Sequence, residues 1–188
     1  MDLEEVWRIR EEEIYPKLFG VTGKGIYTLS QALFAERFKQ TDVDPRWLFL
    51  GIFEFAPTGS RPFRIYATSG RSNPWEAVFD GTEADGPSGS GTEFLLAASS
   101  PGEWAIVTLL SLLAFDLLPD AGRYPGKAAL NSGDRIPLRA SINGNDDCCI
   151  RNLIVTHADD LWPGFILPSG RREKLSSASN FQHILQTL

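Results

Sequence analysis

The chain has 188 residues, of which 43% are hydrophobic and 22% charged, and its formal net charge is −6 at pH 7. This composition is typical of a folded, soluble protein, and the length favours a single domain spanning residues 1–188, with two small domains as the alternative. The negative charge argues against nucleic acid as the main partner, because a phosphate backbone requires a basic face. It is compatible with a basic protein partner.

The first residues and the cysteines predict where the protein resides. The N-terminus, Met1 to Glu5, is acidic, whereas a secretory signal needs a basic start and an apolar middle. Cys148 and Cys149 are adjacent; they are too few for a metal cluster, and a disulfide between neighbours is strained. We therefore expect two reduced thiols in a cytoplasmic protein that does not associate with a membrane.

The first 40 residues predict two helices separated by a loop. Residues 2–14 have the pattern of an amphipathic helix, and Pro16 is expected to end it. Residues 29–39 predict a second, short helix. The glycine-rich run from Gly20 to Gly25 is expected to be a loop, and it lacks the spacing of a phosphate-binding loop.

The next segments predict a β-hairpin and a third strand. The apolar run from Trp47 to Ala56 and the alternating run from Phe63 to Thr68 predict two strands, joined by a turn from Pro57 to Pro62. The alternation of the second strand is typical of a half-buried strand. Residues 80–91 predict a flexible connection, after which Thr92–Ala98 is expected to pair back with the hairpin.

The best-defined predicted element is a helix over residues 101–118. Twelve of the sixteen residues from Glu103 to Leu118 are apolar, which predicts burial nearly all round the helix. Ser100 to Glu103 has the pattern of a capping box with proline at the first helical position, and Pro119 is expected to stop the helix.

The last part of the chain predicts two further strands and a terminal helix. Residues 135–142 and 148–157 are expected to pair around a turn at Asn143-Gly144, and a short strand is expected at 165–167. Residues 181–188 predict a last helix. The order of these elements predicts an α+β fold, with a mainly antiparallel sheet packed on the central apolar helix and with flanking helices.

The sequence offers no recognisable catalytic constellation. It contains two histidines, too few for a metal site, and it lacks the turn that presents a nucleophilic serine. We therefore predict a non-enzymatic protein with no cofactor and no metal. An alternative stays open: a small-ligand binder or enzyme that uses the loop from Thr68 to Trp75. It predicts a pocket where Ser69, Arg71 and a carboxylate converge.

The candidate binding residues are the large or charged side chains expected on loops, since tryptophan and arginine dominate interface hot spots. They are Arg71, Trp75, Asp146, Asp147, Asp159, Asp160 and Trp162. Each also has a structural interpretation. The tryptophans would fill the edge of the core, the aspartates would be solvated in turns, and Arg71 would cap a helix or pair with a carboxylate.

Several short runs resemble the suppressor of fused domain family, and they occur in the family's order over residues 13–188. They are Glu13-Ile-Tyr-Pro-Lys-Leu-Phe-Gly20, Ile65-Tyr-Ala-Thr-Ser-Gly-Arg-Ser-Asn-Pro74, Phe94–Ala98, Pro101-Gly-Glu-Trp104 with the helix to Leu118, Gly133–Ala140 and Leu153–Leu167. One departure is Arg71, at a position where the family pattern has an apolar residue. The chain resembles a stand-alone, bacterial-type member rather than the longer animal proteins.

The resemblance implies protein binding without catalysis. Animal members of the family sequester a transcription factor, and many bacterial stand-alone members are thought to be immunity proteins that neutralise a toxin encoded nearby. The expected partner is therefore a protein, and the acidic balance of the chain suits a basic toxin domain. The family supplies no catalytic residues to carry over.

Overall fold

The computed structural model describes residues 3–71, 92–128, 130–131, 133–137, 152–157 and 180–185. Its helical elements are α1 (Leu3–Trp7), a π-helical segment (Arg8–Ile14), α2 (Tyr15–Phe19), α3 (Gln31–Phe38), a 3-10 segment (Pro45–Phe49) and α4 (Glu103–Asp120). Its strands are β1 (Thr22–Thr28), β2 (Gly51–Phe55), β3 (Arg64–Ser69), β4 (Thr92–Ala98), β5 (Arg135–Pro137), β6 (Asn152–His157) and β7 (Asn180–Leu185).

Within the described residues, the strands form one sheet in the order β1-β2-β3-β4-β7-β6-β5. The pair β4–β7 is parallel, and the other neighbouring pairs are antiparallel. The sheet carries α4 on one face and the N-terminal helix on the other. This confirms the predicted α+β class, with a mainly antiparallel sheet packed on the apolar helix.

The N-terminal helix, which comprises α1, the π-helical segment and α2, runs without interruption to Phe19. The prediction that Pro16 ends it was wrong. The Tyr15 N–H bonds to the Arg10 carbonyl five residues earlier, so the turns that precede Pro16 are wider than α turns and accommodate the proline ring. The helix ends at Gly20, whose φ is +87° and whose N–H bonds to the Pro16 carbonyl at 3.0 Å.

The predicted loop from Gly20 to Gly25 is also wrong, because β1 begins at Thr22. The register against β2 shifts between Thr22 and Ile26. An irregularity of this kind accommodates glycine well, and Gly25 has a φ of +86°. Local composition suggested a turn here, whereas the distant strand β2 supplies the hydrogen bonds that make it a strand.

The predicted hairpin is confirmed by the antiparallel pairing of β2 with β3, from Gly51 opposite Ser69 to Phe55 opposite Ile65. The first strand is shorter than predicted, since Pro45–Phe49 is a 3-10 segment in which the Asp44 side chain accepts the Arg46 N–H at 2.9 Å. The prediction of a half-buried second strand was wrong, because helices cover both faces of β3.

Two apolar layers account for that burial. On one face, Tyr15 and Phe19 of α2 pack against sheet side chains: Phe53, Phe55, Ile65, Ala67 and Leu95. On the other face, α4 packs against Ile52, Tyr66, Phe94, Leu96, Leu153 and Val155. The predicted second helix is confirmed as α3, and its Phe34 lies in a third apolar group with the C-terminal half of α4.

The ends of α4 differ from the prediction. The helix begins at Glu103, with Gly102 as the residue before it and no side-chain capping bond, so the capping box is absent. Pro119 lies within the last turn instead of stopping the helix, and the Ala121 N–H closes that turn on the Leu117 carbonyl at 3.1 Å. Val107 is 49% exposed, so burial does not extend all round α4 within the described residues.

The predicted terminal helix at 181–188 is wrong over Asn180–Leu185, which form β7 between β4 and β6. Both partners are distant in sequence, which explains why the local pattern did not reveal the strand. β5 pairs with β6 as predicted. The turn at Asn143-Gly144, both cysteines and the segments 80–91 and 165–167 lie outside the described residues. Among the described helices, none has the length and apolar character needed to span a bilayer.

Candidate functional site

The structure describes one of the seven binding residues predicted from the sequence, Arg71, which follows β3 and is 2% exposed. The other six lie outside the described residues and stay predictions: Trp75, Asp146, Asp147, Asp159, Asp160 and Trp162. Arg71 belongs to a buried group of polar residues at the end of β3. We call this group the polar cluster; it comprises Arg10, Glu11, Thr68, Ser69, Gly70, Arg71, Glu93 and Asp116.

Arg71 pairs with Asp116 of α4 in the interior. Its Nε donates to the Asp116 carboxylate, and its Nη2 donates to the Leu130 carbonyl at 2.9 Å. The guanidinium carbon lies 4.2 Å from the centre of the Phe94 ring, and the Leu130 N–H donates to Asp116 at 2.5 Å. Burial raises the pKa of Asp116, and the charge of Arg71 partly offsets that effect. Of the two structural interpretations of Arg71, pairing with a carboxylate is the one observed.

Glu93, at the start of β4, accepts hydrogen bonds from the segment that leaves β3. The Gly70 N–H donates to Oε1 at 3.0 Å, and the Arg71 N–H donates to Oε2 at 3.3 Å. The Thr68 hydroxyl donates to Oε2 at 2.6 Å and accepts the Phe94 N–H at 2.8 Å. Glu93 is 1% exposed, so these donors replace the water that an ionised carboxylate would otherwise bind.

The N-terminal helix contributes Arg10, Glu11 and Tyr15 to the same place. Arg10 donates from Nε to the Ser69 hydroxyl at 3.0 Å, and its Nη1 lies 3.4 Å from Glu93 Oε1. The Ser69 hydroxyl donates to Glu11. Tyr15 donates its hydroxyl to the Thr68 carbonyl, and burial, reinforced by the charge of Glu93, raises the pKa of Tyr15 well above its ordinary value.

The polar cluster therefore ties the two layers of the protein together through the end of the sheet. Arg10 reaches it from the N-terminal helix, Asp116 reaches it from α4, and Glu93 lies between them. Ser69, Arg71 and carboxylates do converge, as the ligand-binding alternative predicts. These groups are bonded to one another, however, and the side chains of Ser69 and Arg71 are both buried. The described residues contain no group of metal-ligating side chains that could hold an ion.

Sequence reasoning missed Arg10, Glu93 and Asp116 as members of this cluster. Asp116 interrupts an apolar run, and Glu93 directly precedes one. A charge inside a buried strand or helix requires a partner of opposite charge or several hydrogen bonds. The sequence signal was therefore an acidic residue next to or inside an apolar segment, which requires a partner. Arg71, which departs from the family pattern, is such a partner for Asp116.

A second charged group lies at the opposite end of β3 and is nearer to solvent. Arg64 donates to Glu54 of β2 at 2.8 Å, and the side chains of this pair are 27% and 17% exposed. The hydroxyls of Tyr27 and Tyr66 donate to the same carboxylate at 3.3 and 3.5 Å. All the donors described here for Glu54 are side chains, whereas Glu93 also accepts backbone N–H groups.

Neither models of known protein families nor curated protein sequences match this chain, but solved structures do. One is the crystal structure of the Sufu–Fu complex, with a TM-score of 0.55 and 16% identity over 97% of this chain and 73% of that one. Another is a suppressor of fused homologue from Neisseria gonorrhoeae, with a TM-score of 0.52 and 14% identity over 90% and 70% of the two chains. The chain therefore has the fold of suppressor of fused proteins, as its sequence motifs predicted.

Proposed function

We propose that this chain is a non-catalytic protein-binding domain, folded as a single unit over residues 1–188. The observation that carries the proposal is the fold, because one of the solved structures that share it is a complex with another protein, Fu. The polar cluster supports it in a second way. The side chains of Ser69 and Arg71 could take part in catalysis or ligand binding, but both are used in internal hydrogen bonds. They therefore stabilise the fold.

We further propose that the partner is a basic toxin domain, which this chain neutralises in the cytoplasm of a bacterium. The net charge of −6 supports a basic partner. The N-terminal helix adds exposed carboxylates, since Glu4, Glu5 and Glu12 outnumber the exposed Arg8 and Lys17 on the same helix. An excess of charge of one sign increases the association rate with a partner of the opposite sign.

Co-expression with the product of the adjacent gene tests this proposal. The expected result is a complex that survives purification, together with growth of cells that the gene product alone kills. A catalytically inactive toxin variant serves as the binding partner where the active toxin prevents growth. Continued killing, without any complex between the two proteins, would contradict the toxin proposal.

Charge reversal on the N-terminal helix tests whether its exposed carboxylates meet the partner. The double variant Glu4→Lys and Glu12→Lys is expected to slow association by about tenfold at low salt, and the difference should shrink as salt increases. A matched control reverses Glu36 and Glu103, which are exposed on α3 and α4. Equal effects of the two variants would indicate a general charge effect and would contradict an interface on this helix.

The loop residues predicted from the sequence belong to the same proposed interface. They are Trp75, Asp146, Asp147, Asp159, Asp160 and Trp162. Replacing the four aspartates with asparagine is expected to weaken partner binding without unfolding the protein, which circular dichroism would check. Arg71, because it is buried, would act in this interface by holding the segment that leads to Trp75.

The alternative function, a small-ligand binder or an enzyme, is favoured by the convergence of Ser69, Arg71, Glu93 and Asp116. A ligand at this position would have to displace internal partners. The variant Ser69→Ala separates the two functions: it should remove binding or turnover of a small ligand and leave toxin neutralisation intact. Loss of neutralisation by a folded Ser69→Ala protein would instead place the loop in the protein interface.

A further inference from the structure

The carboxylate of Glu93 is bound in the way that proteins bind a separate anion. Two successive backbone N–H groups, those of Gly70 and Arg71, point at its two oxygens at 3.0 and 3.3 Å. Consecutive N–H groups that converge in this way form an anion-binding concavity. The Thr68 hydroxyl at 2.6 Å and the Arg10 guanidinium at 3.4 Å complete the set of donors.

The backbone is shaped for this task at Gly70. Its φ of +133° is a conformation that residues with a side chain rarely adopt. A Cβ at this position would lie 2.3 Å from the Leu50 Cδ2 atom, so the segment also packs too tightly for any larger residue. The run Thr68-Ser69-Gly70-Arg71 therefore supplies a hydroxyl and two backbone donors on one side of a fixed turn.

We propose that this segment and Arg10 form a carboxylate-binding cradle whose resident ligand is the Glu93 side chain. The cradle accounts for the hydroxyl of Thr68 and the backbone donors of Gly70 and Arg71 at the end of β3, to which the proposed protein interface assigns no role. It takes a small carboxylate, such as formate or acetate, when the side chain of Glu93 is removed. An external ligand would have to compete with Glu93.

The arrangement of donors selects a carboxylate over a spherical anion. One oxygen, Oε1, receives the Gly70 N–H and faces Arg10, while the other, Oε2, receives the Arg71 N–H and the Thr68 hydroxyl. Two oxygens that each take separate donors match a planar, two-pronged acceptor. Chloride has a single centre and cannot satisfy both sets of donors together.

Chemical rescue of Glu93→Gly tests the cradle. Denaturant unfolding is measured in sodium formate and in sodium chloride of equal ionic strength. At a formate concentration ten times its dissociation constant, the folding equilibrium of the variant should increase about 11-fold over chloride. The wild-type protein should show no such difference, because Glu93 occupies the cradle. Glu54→Gly is the matched control, since the donors described for Glu54 are side chains, and it should not distinguish the two salts.

Two further measurements keep the test decisive if Glu93→Gly does not fold in chloride. Formate-dependent recovery of the native circular dichroism spectrum would then report binding, and line broadening of ¹³C-formate would confirm it. Glu93→Gln keeps the side-chain volume, so it should not respond to formate. The proposal is overturned if formate acts equally on all variants, or if Glu93→Gly responds to formate in none of these measurements.

Discussion

Two arginine–carboxylate pairs lie at opposite ends of β3, and their surroundings differ. Arg64, the first residue of the strand, pairs with Glu54 where both side chains keep contact with solvent, at 27% and 17% exposure. Arg71, two residues beyond the strand, pairs with Asp116 at 2% and 0% exposure. The comparison teaches that an arginine–carboxylate pair stabilises the protein to a different extent near the surface and in the interior. Near the surface, water can replace either partner, whereas inside the protein each partner requires the other.

The largest expected effect is that of Asp116→Ala. It leaves the Arg71 guanidinium buried without its carboxylate, and losing one partner of a buried pair costs about 3–5 kcal/mol of unfolding free energy. The matched change Glu54→Ala should cost less, about 1–2 kcal/mol, because solvent partly reaches that pair and can replace the lost carboxylate. Urea unfolding monitored by tryptophan fluorescence measures both. Similar losses for the two variants would show that the difference in burial does not matter.

The second effect concerns the turn that brings Arg71 into its pair. Gly70→Ala should cost about 2–4 kcal/mol. The substitution strains the backbone, and it also places the new Cβ too close to Leu50. Gly25→Ala is the control: its φ is +86°, but no atom lies within 4 Å of the added Cβ, so strain alone should cost about 1 kcal/mol. Thermal unfolding of both variants checks the prediction, which a smaller loss for Gly70→Ala would contradict.

The third effect depends on pH and on Tyr15, whose hydroxyl donates to the Thr68 carbonyl of the polar cluster. Because the folded-state pKa of Tyr15 is raised, the folded protein keeps a proton that the unfolded chain releases above pH of about 10. The stabilisation is complete below that pH and is lost as the pH rises through the folded pKa, by up to about 1.4 kcal/mol per pH unit. Tyr15→Phe should cost about 1–2 kcal/mol at neutral pH and flatten this alkaline decline.

Tyr27→Phe is the control for the alkaline measurement. Tyr27 donates to Glu54 near solvent, and its pKa is also raised, with burial as the first cause. We expect this variant to retain most of the alkaline decline of the wild-type protein. Denaturant unfolding between pH 7 and pH 11 compares the three proteins. If both variants flattened the alkaline decline equally, the polar cluster and the half-buried group around Glu54 would not differ in this respect.

The smallest effect is the coupling between Arg64 and Glu54. A double-mutant cycle with alanine at both positions should give about 0.5–1 kcal/mol at low salt, and the coupling should approach zero in 1 M sodium chloride, where the Debye length is about 3 Å. The same cycle on Arg71 and Asp116 should change little with salt. A salt-resistant coupling at Arg64 would indicate that this pair is as well shielded as the buried one.

The parts of the fold that the sequence predicted are those set by local patterns. The apolar run of α4 and the hairpin of β2 and β3 each have a periodicity or a turn that identifies them. The wrong predictions share a different cause. β1 and β7 are strands because partners distant in sequence bond to them, and the N-terminal helix continues past Pro16 because the preceding turns are wider.

The candidate site was predictable in the segment from Thr68 to Arg71 and hidden in the partners of that segment. Arg71 was selected because it is charged and lies in a polar run, and the suggestion that it pairs with a carboxylate was correct. Its partner, Asp116, lies 45 positions away, and no sequence pattern links the two. Arg10 looked like one more charge on an amphipathic helix, since only the packing of that helix on β3 shows which way the side chain points.

The π-helical segment, Arg8–Ile14, has a consequence for how this protein tolerates change in length. A π turn contains one residue more than the α turn it replaces, and here it aligns Arg10 with Tyr15, five positions on. Deleting a single residue between them would place these side chains at i and i+4, which an α-helix also sets on one face, so both would still face β3. The same deletion within α2, between Tyr15 and Phe19, has no π turn to absorb it and would rotate one of those two side chains away from the sheet by about 100°. The π-helical segment is therefore the part of this helix that tolerates a change in length.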